Sequence, residues 1–283
     1  MNESGPDSQK VITSRVVEFV EAQRRNKHKP FFLGITGPQG SGKSTLTRNL
    51  KRALETELHL CVVGMSIDDF YLTHERQEAL AAKHRDNPLI QHRGLPGTHD
   101  IALMHSILSQ LSNRTTAQIG IPTYDKSRFG GYGDRYEEDK WQYVYPDKVD
   151  VVLFEGWMVG FEQVAPWLLS ARIQTTRWRH LERSIEWLNE QLGLYVPIFK
   201  CVDAIVQLKA QDINYVYSWR LQQEHELIQK THHGMTDEQV KQFIDNYMPM
   251  YDMYLDQLSD QVHTATNGLE IILDENRHPV AIL

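Results

Sequence analysis

The sequence predicts an α/β protein of three layers, in which helices flank a doubly wound, mainly parallel sheet. Several short apolar runs lack polar alternation, as expected for strands that are buried on both faces. Segments with helical spacing separate these runs, and the first run ends in a glycine-rich turn that leads into an amphipathic segment. Strands that alternate with helices favour right-handed crossovers, and hence parallel pairing.

The composition is that of an ordinary globular protein. The chain has 283 residues, of which 41% are hydrophobic, and it contains no linker-like or low-complexity tract. We therefore expect a single domain over residues 1–283. The formal net charge of -7 gives no general attraction for nucleic acid or anionic membranes, so we expect neither as a partner. A local cluster of cations is needed to hold any anionic ligand.

Few features bear on cellular location. Cys61 and Cys201 are too few for a disulfide framework, the N-terminus lacks the apolar core of a signal peptide, and no apolar run is long enough to cross a bilayer. We expect a cytoplasmic protein. The basic run at 24–29 would allow a nuclear pool in a eukaryote, although charge at a helix end explains it better. The oligomeric state stays open.

The elements follow from local patterns. Strands are predicted at the apolar runs Phe31–Gly37, Cys61–Ser66, Val149–Trp157, Ala204–Leu208 and Leu269–Leu273. Helical spacing predicts helices at about 9–25, 41–58, 74–84, 101–111, 179–192, 212–230 and 236–260, the last interrupted near Pro249. Pro, Gly and His enrichment predicts a loop at 86–100, and the region 120–145 is expected to be mostly loop.

The segment GPQGSGKS, Gly37 to Ser44, has the spacing GxxxxGK[ST] between a predicted strand and a predicted helix. In that context glycines let the backbone wrap around phosphate oxygens, while the lysine reaches the β- and γ-phosphates. We therefore expect a P-loop that binds the phosphates of a nucleotide. Its candidate residues are Gly37, Pro38, Gln39, Gly40, Ser41, Gly42, Lys43, Ser44 and Thr45.

A P-loop also requires an acid at the end of a neighbouring strand to hold Mg²⁺ or its water. Glu155 ends the run VVLFE in the appropriate place, and the Ser44 hydroxyl follows the P-loop lysine. We expect these two residues to form the magnesium site. Glu in place of the usual Asp, followed by Gly156, favours a small-molecule kinase over a GTPase switch.

Several long blocks carry a resemblance to a known family. In order they are GPQGSGKS, SIDDFYLTHE, RGLPGTHD, YDKSRFGGYGDR, LFEGWMVGF, VYSWRLQQE and GMTDEQVKQFIDNYMPMY, within about Phe31 to Leu255. Together they resemble the D-glycerate 3-kinase family of plants and its fungal and bacterial relatives, which is similar to uridine kinase, phosphoribulokinase and bacterial pantothenate kinase. The resemblance implies a P-loop kinase fold and transfer of the γ-phosphate of Mg-ATP to an alcohol. This sequence looks close to fungal members of the family, whose acceptor is less securely assigned.

The resemblance also implies roles for two residues. Asp68, in IDDFY, matches the carboxylate that accepts the proton of the acceptor hydroxyl, and Arg220, in VYSWRLQQE, matches a lid arginine that closes over ATP. The lid region spans about 212–235. A surface arginine paired with Glu224 is the alternative for Arg220. For Asp69, substrate binding, contact with a magnesium water and helix capping all stay open.

The acceptor is expected to be an anionic hydroxy acid, most simply D-glycerate, held by loop residues at about 84–145. Because a carboxylate needs cations, His92 and the charged residues of this region are candidates. The acceptor candidates are Asp69, Tyr71, Arg93, His99, Tyr124, Asp125, Lys126, Arg128 and Arg135. Aromatic residues there, Tyr124, Phe129, Tyr132 and Tyr136, would instead suit a nucleoside. Further alternatives are a pantothenate-like or sugar-phosphate acceptor, and a regulatory protein that binds nucleotide with little turnover.

Overall fold

The computed structural model describes residues 6–24, 29–231 and 233–283. The strands in chain order are β1 Phe31–Thr36, β2 Val62–Ser66, β3 Ile119–Ile121, β4 Tyr124–Asp125, β5 Asp134–Arg135, β6 Gln142–Val144, β7 Val151–Gly156, β8 Ala204–Ala210, β9 Gly268–Leu273 and β10 Pro279–Ile282. The central sheet has six strands in the order β10-β9-β8-β1-β7-β2, and β10 alone among these is antiparallel to its neighbour. The predicted fold class is confirmed.

Helices cover the sheet and join its strands. They are α1 Pro6–Gln23, α2 Lys43–Glu57, α3 His74–Lys83, α4 Ile101–Ser112, α5 Pro166–Gln174, α6 Glu182–Leu192, α7 Val196–Phe199, α8 Tyr215–Thr231, α9 Asp237–Asp245 and α10 Met248–Thr264. Short 3₁₀ turns lie at Ile67–Phe70, Pro88–Ile90, Phe129–Gly131, Glu138–Lys140, Pro146–Lys148, Arg179–Leu181 and Gly193–Tyr195. Within the ranges that the structure describes, no helix combines the length and apolar character required to cross a bilayer.

The core forms where helix α2 meets the sheet. Leu46, Leu50 and Leu54 recur at helical spacing and are all buried, so one face of α2 packs on the strands. Helix α1 packs against α2 and buries Val16 and Val20. In β1 every residue is buried, which explains why its sequence shows no polar alternation.

The interruption predicted near Pro249 is present. The segment 236–260 forms two helices, α9 and α10, which are separated at 246–247, and Pro249 occupies the first turn of α10, where no backbone hydrogen bond is lost. Strand β10 was not predicted, and the region 120–145, which is mostly loop as expected, also contains short antiparallel pairs. The predicted end of the first helix, at about 25, and His232 in the lid region lie outside the described residues.

The topology brings three strand ends to one place. In the central part of the sheet, Ile35 of β1 and Ser66 of β2 are both in register with Glu155 of β7. All three strands are parallel, so the segments that follow them emerge at the same edge. The P-loop, Glu155 and the turn that carries Asp68 therefore lie side by side.

Candidate active site

The P-loop joins β1 to α2 in a conformation that glycine permits. Gly40 and Gly42 have φ angles of 76° and 96°, in the left-handed region. A Cβ on Gly40 would lie 2.5 Å from the Cβ of Trp219, so the loop also needs glycine there for close packing. No side chain caps the start of α2 at Gly42. The first amides of α2 are therefore available to an anion, as a phosphate cradle requires.

Lys43 folds back over this cradle. Its Nζ donates to the carbonyl oxygens of Gly37, at 2.8 Å, and Pro38, at 3.0 Å. Burial lowers the pKa of Lys43, whereas the nearby charges of Glu155 and Asp68 raise it. Lys43 is thus close enough to Glu155 and Asp68 for the charges of both to act on it.

The expected magnesium pair is adjacent. Ser44 Oγ donates a hydrogen bond of 2.7 Å to Glu155 Oε1. No group of three or more His, Cys, Asp or Glu side chains among the described residues could enclose a metal ion. Two protein oxygens still fit Mg²⁺, because this ion is commonly held by one or two protein ligands together with substrate phosphates and water.

Asp68 is fixed by two donors on the turn after β2. Its Oδ2 accepts from Lys126 Nζ at 2.6 Å, and its Oδ1 accepts from Tyr71 Oη at 2.7 Å. Burial by itself raises the pKa of Asp68, but the attraction and hydrogen bond of Lys126, aided by Tyr71, outweigh it and lower this pKa to about 2. The carboxylate is consequently ionised throughout the neutral range.

Asp69 has a different environment from its neighbour. Its Oδ2 accepts from Ser66 N at 3.2 Å in a capping box, and its Oδ1 accepts from Tyr124 N at 3.3 Å. Burial, together with the charge of Asp68, raises the pKa of Asp69 to about 6 despite these bonds. Of the three open interpretations the geometry favours capping, and the same side chain ties β4 to the Asp68 turn.

Arg93 and Tyr124 lie beside Asp68 and Tyr71. The Arg93 guanidinium is 5.5 Å from the ring centroid of Tyr124 and 6.0 Å from that of Tyr71. It also donates to the carbonyl oxygens of Gly131 and Tyr132. Arg93 thus fastens the 126–133 loop while placing positive charge next to Lys126, whose side chain is 58% exposed.

His99 is not the cation that sequence analysis expected. It is buried, its Nδ1 lies 2.7 Å from Tyr195 Oη, and burial lowers the pKa of His99 to about 3 although Asp68 opposes that shift. A histidine that stays neutral contributes hydrogen bonds and no charge.

Three other acceptor candidates are engaged with neighbouring protein groups. Asp125 accepts from Ser127 and Tyr136, and Arg128 pairs with Glu137 at 3.1 Å. Arg135 donates to Tyr71 O at 2.8 Å and pairs with Asp100 at 3.4 Å. Within the described residues, none of the three makes a hydrogen bond or ion pair with the side chain of Asp68 or Lys126. The hydrogen bonds and ion pairs of these three side chains therefore stabilise the conformation of the loop region.

Arg220 lies on α8 and is mostly buried. Its Nη2 is 2.6 Å from Glu224 Oε2, and its guanidinium lies over the ring of Phe243 at 5.5 Å. Glu224 also accepts from Met235 N at 2.7 Å. The i,i+4 pair considered from the sequence is present, although Glu224 is buried rather than at the surface.

Sequence analysis missed residues that support the P-loop from afar. Tyr251 Oη accepts from Gln39 N at 3.2 Å, and Arg277 Nε donates to Gly40 O at 2.6 Å. Arg277 also bonds Gln222 at 2.8 Å and so links the P-loop to helix α8. Of these two residues, only Tyr251 lies in one of the sequence blocks that resemble the family, so only Tyr251 could have been found from the sequence.

This fold and this site define a P-loop kinase of small molecules. No protein-family model matches the chain. Over 278 residues it is 50% identical to an uncharacterized kinase, mug58, of Schizosaccharomyces pombe, covering 97% of this chain and 99% of the relative. It is 36% identical to the chloroplastic D-glycerate 3-kinase of Arabidopsis thaliana over 89% of this chain and 54% of that longer protein.

A solved structure, that of D-glycerate 3-kinase from Cryptococcus neoformans var. grubii, is also similar. It superposes with a TM-score of 0.85 at 34% identity, covering 96% of this chain and 98% of the other. The chain belongs to the D-glycerate 3-kinase family of ATP-dependent P-loop kinases.

Proposed function

We propose that the protein transfers the γ-phosphate of Mg-ATP to D-glycerate, giving ADP and 3-phosphoglycerate. The observation that carries the proposal is an Asp68 carboxylate that is paired with Lys126 at 2.6 Å and lies near the P-loop lysine, Lys43, while Arg93 lies over the neighbouring ring of Tyr124. A carboxylate next to a phosphate cradle suits transfer to a hydroxyl group, and neighbouring cations suit an acceptor that is itself an anion.

In this proposal each residue has one role. Lys43 and the P-loop amides bind the phosphates, and Ser44 with Glu155 would hold Mg²⁺, which neutralises charge that develops on the phosphate oxygens. Asp68 orients the acceptor hydroxyl and receives its proton as the bond from oxygen to phosphorus forms and the bond to ADP breaks. Arg220 would leave Glu224 to meet the transferring phosphoryl group.

We also infer a cytoplasmic location. Cys61 and Cys201 are both free thiols, which suits a reducing compartment.

The test is a coupled assay of ADP production with Mg-ATP and a panel of acceptors: D-glycerate, uridine, pantothenate and ribulose 5-phosphate. We expect only D-glycerate to raise ADP production above the background without acceptor. If another compound of the panel raised ADP production, that compound would be the acceptor instead of D-glycerate. If none did, the result would favour a regulatory protein that binds nucleotide with little turnover. The nucleoside alternative rests on the aromatic residues, yet Tyr71 and Tyr124 already pack edge to face on each other.

Asp68→Asn tests the role of the carboxylate. It should keep ATP affinity and lose ~10²–10⁴-fold in kcat. The matched control is Asp147→Asn, because the Asp147 side chain is exposed to the same extent as that of Asp68, 26%, and also contacts a lysine. Asp147 precedes β7 at the opposite edge of the sheet, so its variant should be fully active. Near-normal phosphoryl transfer by Asp68→Asn would show that the Asp68 carboxylate does not take part in the mechanism.

A further inference from the structure

A buried histidine nitrogen next to the proposed acceptor site has no partner. His99 is 4% exposed, and its Nε2 makes no hydrogen bond. Buried polar atoms are nearly always paired, so an exception requires an explanation. The other ring nitrogen, Nδ1, is occupied by Tyr195 Oη at 2.7 Å.

The hydrogen bonds of Tyr195 determine which nitrogen of His99 carries the proton. The Tyr195 hydroxyl accepts from Gly97 N at 3.0 Å. Its own proton then has one acceptor among the described residues, the Nδ1 of His99. A neutral imidazole carries one proton, so the proton of His99 lies on Nε2. The unpartnered atom is therefore a donor without an acceptor.

The position of this donor relates it to Asp68. His99 and Tyr71 form an antiparallel bridge, which directs their side chains to the same side, and their ring centroids are 4.7 Å apart. The Tyr71 hydroxyl donates to Asp68, so the His99 ring lies beside a side chain that contacts this carboxylate. Asp68 and His99 are close enough for each to influence the charge of the other.

We propose that His99 binds a carboxylate oxygen of the acceptor through a neutral Nε2–H, and that Tyr195 is the positioning residue that fixes this tautomer. The inference rests on the proposed function, because it takes the acceptor to be a hydroxy acid. A carboxylate only accepts hydrogen bonds, and a protonated Nε2 donates one. The neutral donor keeps the acceptor close to Asp68 without adding a charge that would compete with Lys126. Nε2 is shielded from water, so its contact forms through a local rearrangement as the acceptor binds.

Two substitutions of His99 separate the effect of hydrogen-bond donation by Nε2 from the effect of side-chain packing. The amide nitrogen of glutamine replaces the distal Nε2, whereas that of asparagine replaces only the proximal nitrogen. His99→Asn should raise the KM for D-glycerate by about 10- to 100-fold, and His99→Gln should recover most of that loss. The KM for ATP should stay within about twofold of wild type in both, since neither touches the phosphate cradle. His84→Asn is the matched control, because His84 packs beside Trp187 away from Asp68.

The tautomer is measured directly by long-range ¹H–¹⁵N correlation spectra of the full-length protein, with His99 assigned among the 13 histidines from the His99→Gln spectrum. We expect protonated Nε2 and unprotonated Nδ1 throughout pH 5.5–8, and a downfield shift of the Nε2 proton on adding D-glycerate with Mg-ADP. In Tyr195→Phe a population with protonated Nδ1 should appear. Protonated Nδ1 in the wild type, titration in this range, or equal KM effects of the Asn and Gln variants would overturn the inference.

This measurement requires no turnover. An enzyme that phosphorylates another acceptor would refute the proposed function, while the tautomer of His99 would be read independently. If D-glycerate is the acceptor and the resonance of the Nε2 proton does not shift when it binds, the proposed function is supported and the proposed role of His99 is refuted.

Discussion

Replacing Lys126 with methionine should separate the catalytic from the structural value of its ion pair with Asp68. Methionine keeps the length of the aliphatic chain and removes the charge. The Lys126 side chain is 58% exposed, so the pair contributes only ~0.2–1 kcal/mol to the free energy of unfolding despite its 2.6 Å length. The melting temperature should therefore fall by no more than about 2–4 °C.

The effect on catalysis should be far larger. Loss of one preorganised donor beside a reacting group typically costs ~10²–10³-fold in kcat, and we expect a fall of this size for transfer to D-glycerate. The pKa of Asp68 should also change, because burial raises it and Lys126 is the main force that lowers it. In the wild type Asp68 stabilises the fold above the unfolded pKa near 3.8, and this contribution is lost as pH falls through about 2. Without Lys126 the pKa of Asp68 should rise, so this stabilising contribution shrinks and Asp68 is protonated at a higher pH.

The assay is kcat/KM for D-glycerate at pH 4.5–8, with circular dichroism melts of the same proteins. The variant should show an acid limb of activity that the wild type lacks in this range. Lys140→Met is the matched control, because Lys140 lies in the same region, is 55% exposed, pairs with Glu137 at 3.8 Å and lies 5.3 Å from the ring centroid of Tyr136. If Lys126→Met lost no more activity than Lys140→Met and gained no acid limb, Lys126 would not maintain the ionisation of Asp68.

Other predictions follow from packing and pairing around the site. Gly40→Ala forces a Cβ to within 2.5 Å of Trp219 at a φ of 76°, so calorimetry should show ATP affinity reduced at least ~10-fold; unchanged affinity would refute the close packing. Arg277→Met removes a charged donor from Gly40 O and should raise the KM for ATP ~10-fold while leaving that for the acceptor unchanged; equal changes in both would contradict a role confined to the P-loop. Asp100→Asn weakens the ion pairs of Asp100 with Arg76 and Arg135 and should lower the free energy of unfolding by about 2–3 kcal/mol in urea titrations, whereas a loss below about 0.5 kcal/mol would show that these pairs are unimportant.

The parts of the site that were predictable arise from local sequence. The P-loop follows directly on β1, Glu155 lies near the end of β7 and Asp68 lies just after β2, and the parallel pairing of those buried strands fixes their proximity. The capping role of Asp69 was visible in principle, because Ser66 stands three residues before it in the pattern of a capping box.

The rest depends on contacts that no local pattern encodes. His99 meets Tyr195 across 96 residues, and Arg277 meets Gly40 across 237. The sequence analysis overestimated how many charged loop residues are available to bind the acceptor. Composition shows that cations are present, but only geometry shows that the cation of Arg128 is neutralised by Glu137, nine residues away.

The low pKa of Asp68 constrains how it can act. A carboxylate with a pKa of about 2 is a weak base towards an alcohol, so it does not remove the proton in the ground state. In a loose phosphoryl-transfer transition state the hydroxyl becomes acidic only as its bond to phosphorus forms, and late proton transfer requires no strong base. Each carboxylate oxygen has two acceptor positions, and Lys126 and Tyr71 occupy one on each. A position therefore stays open for the acceptor hydroxyl while Lys126 keeps the group ionised, and we infer that the ion pair persists through substrate binding instead of breaking to admit it.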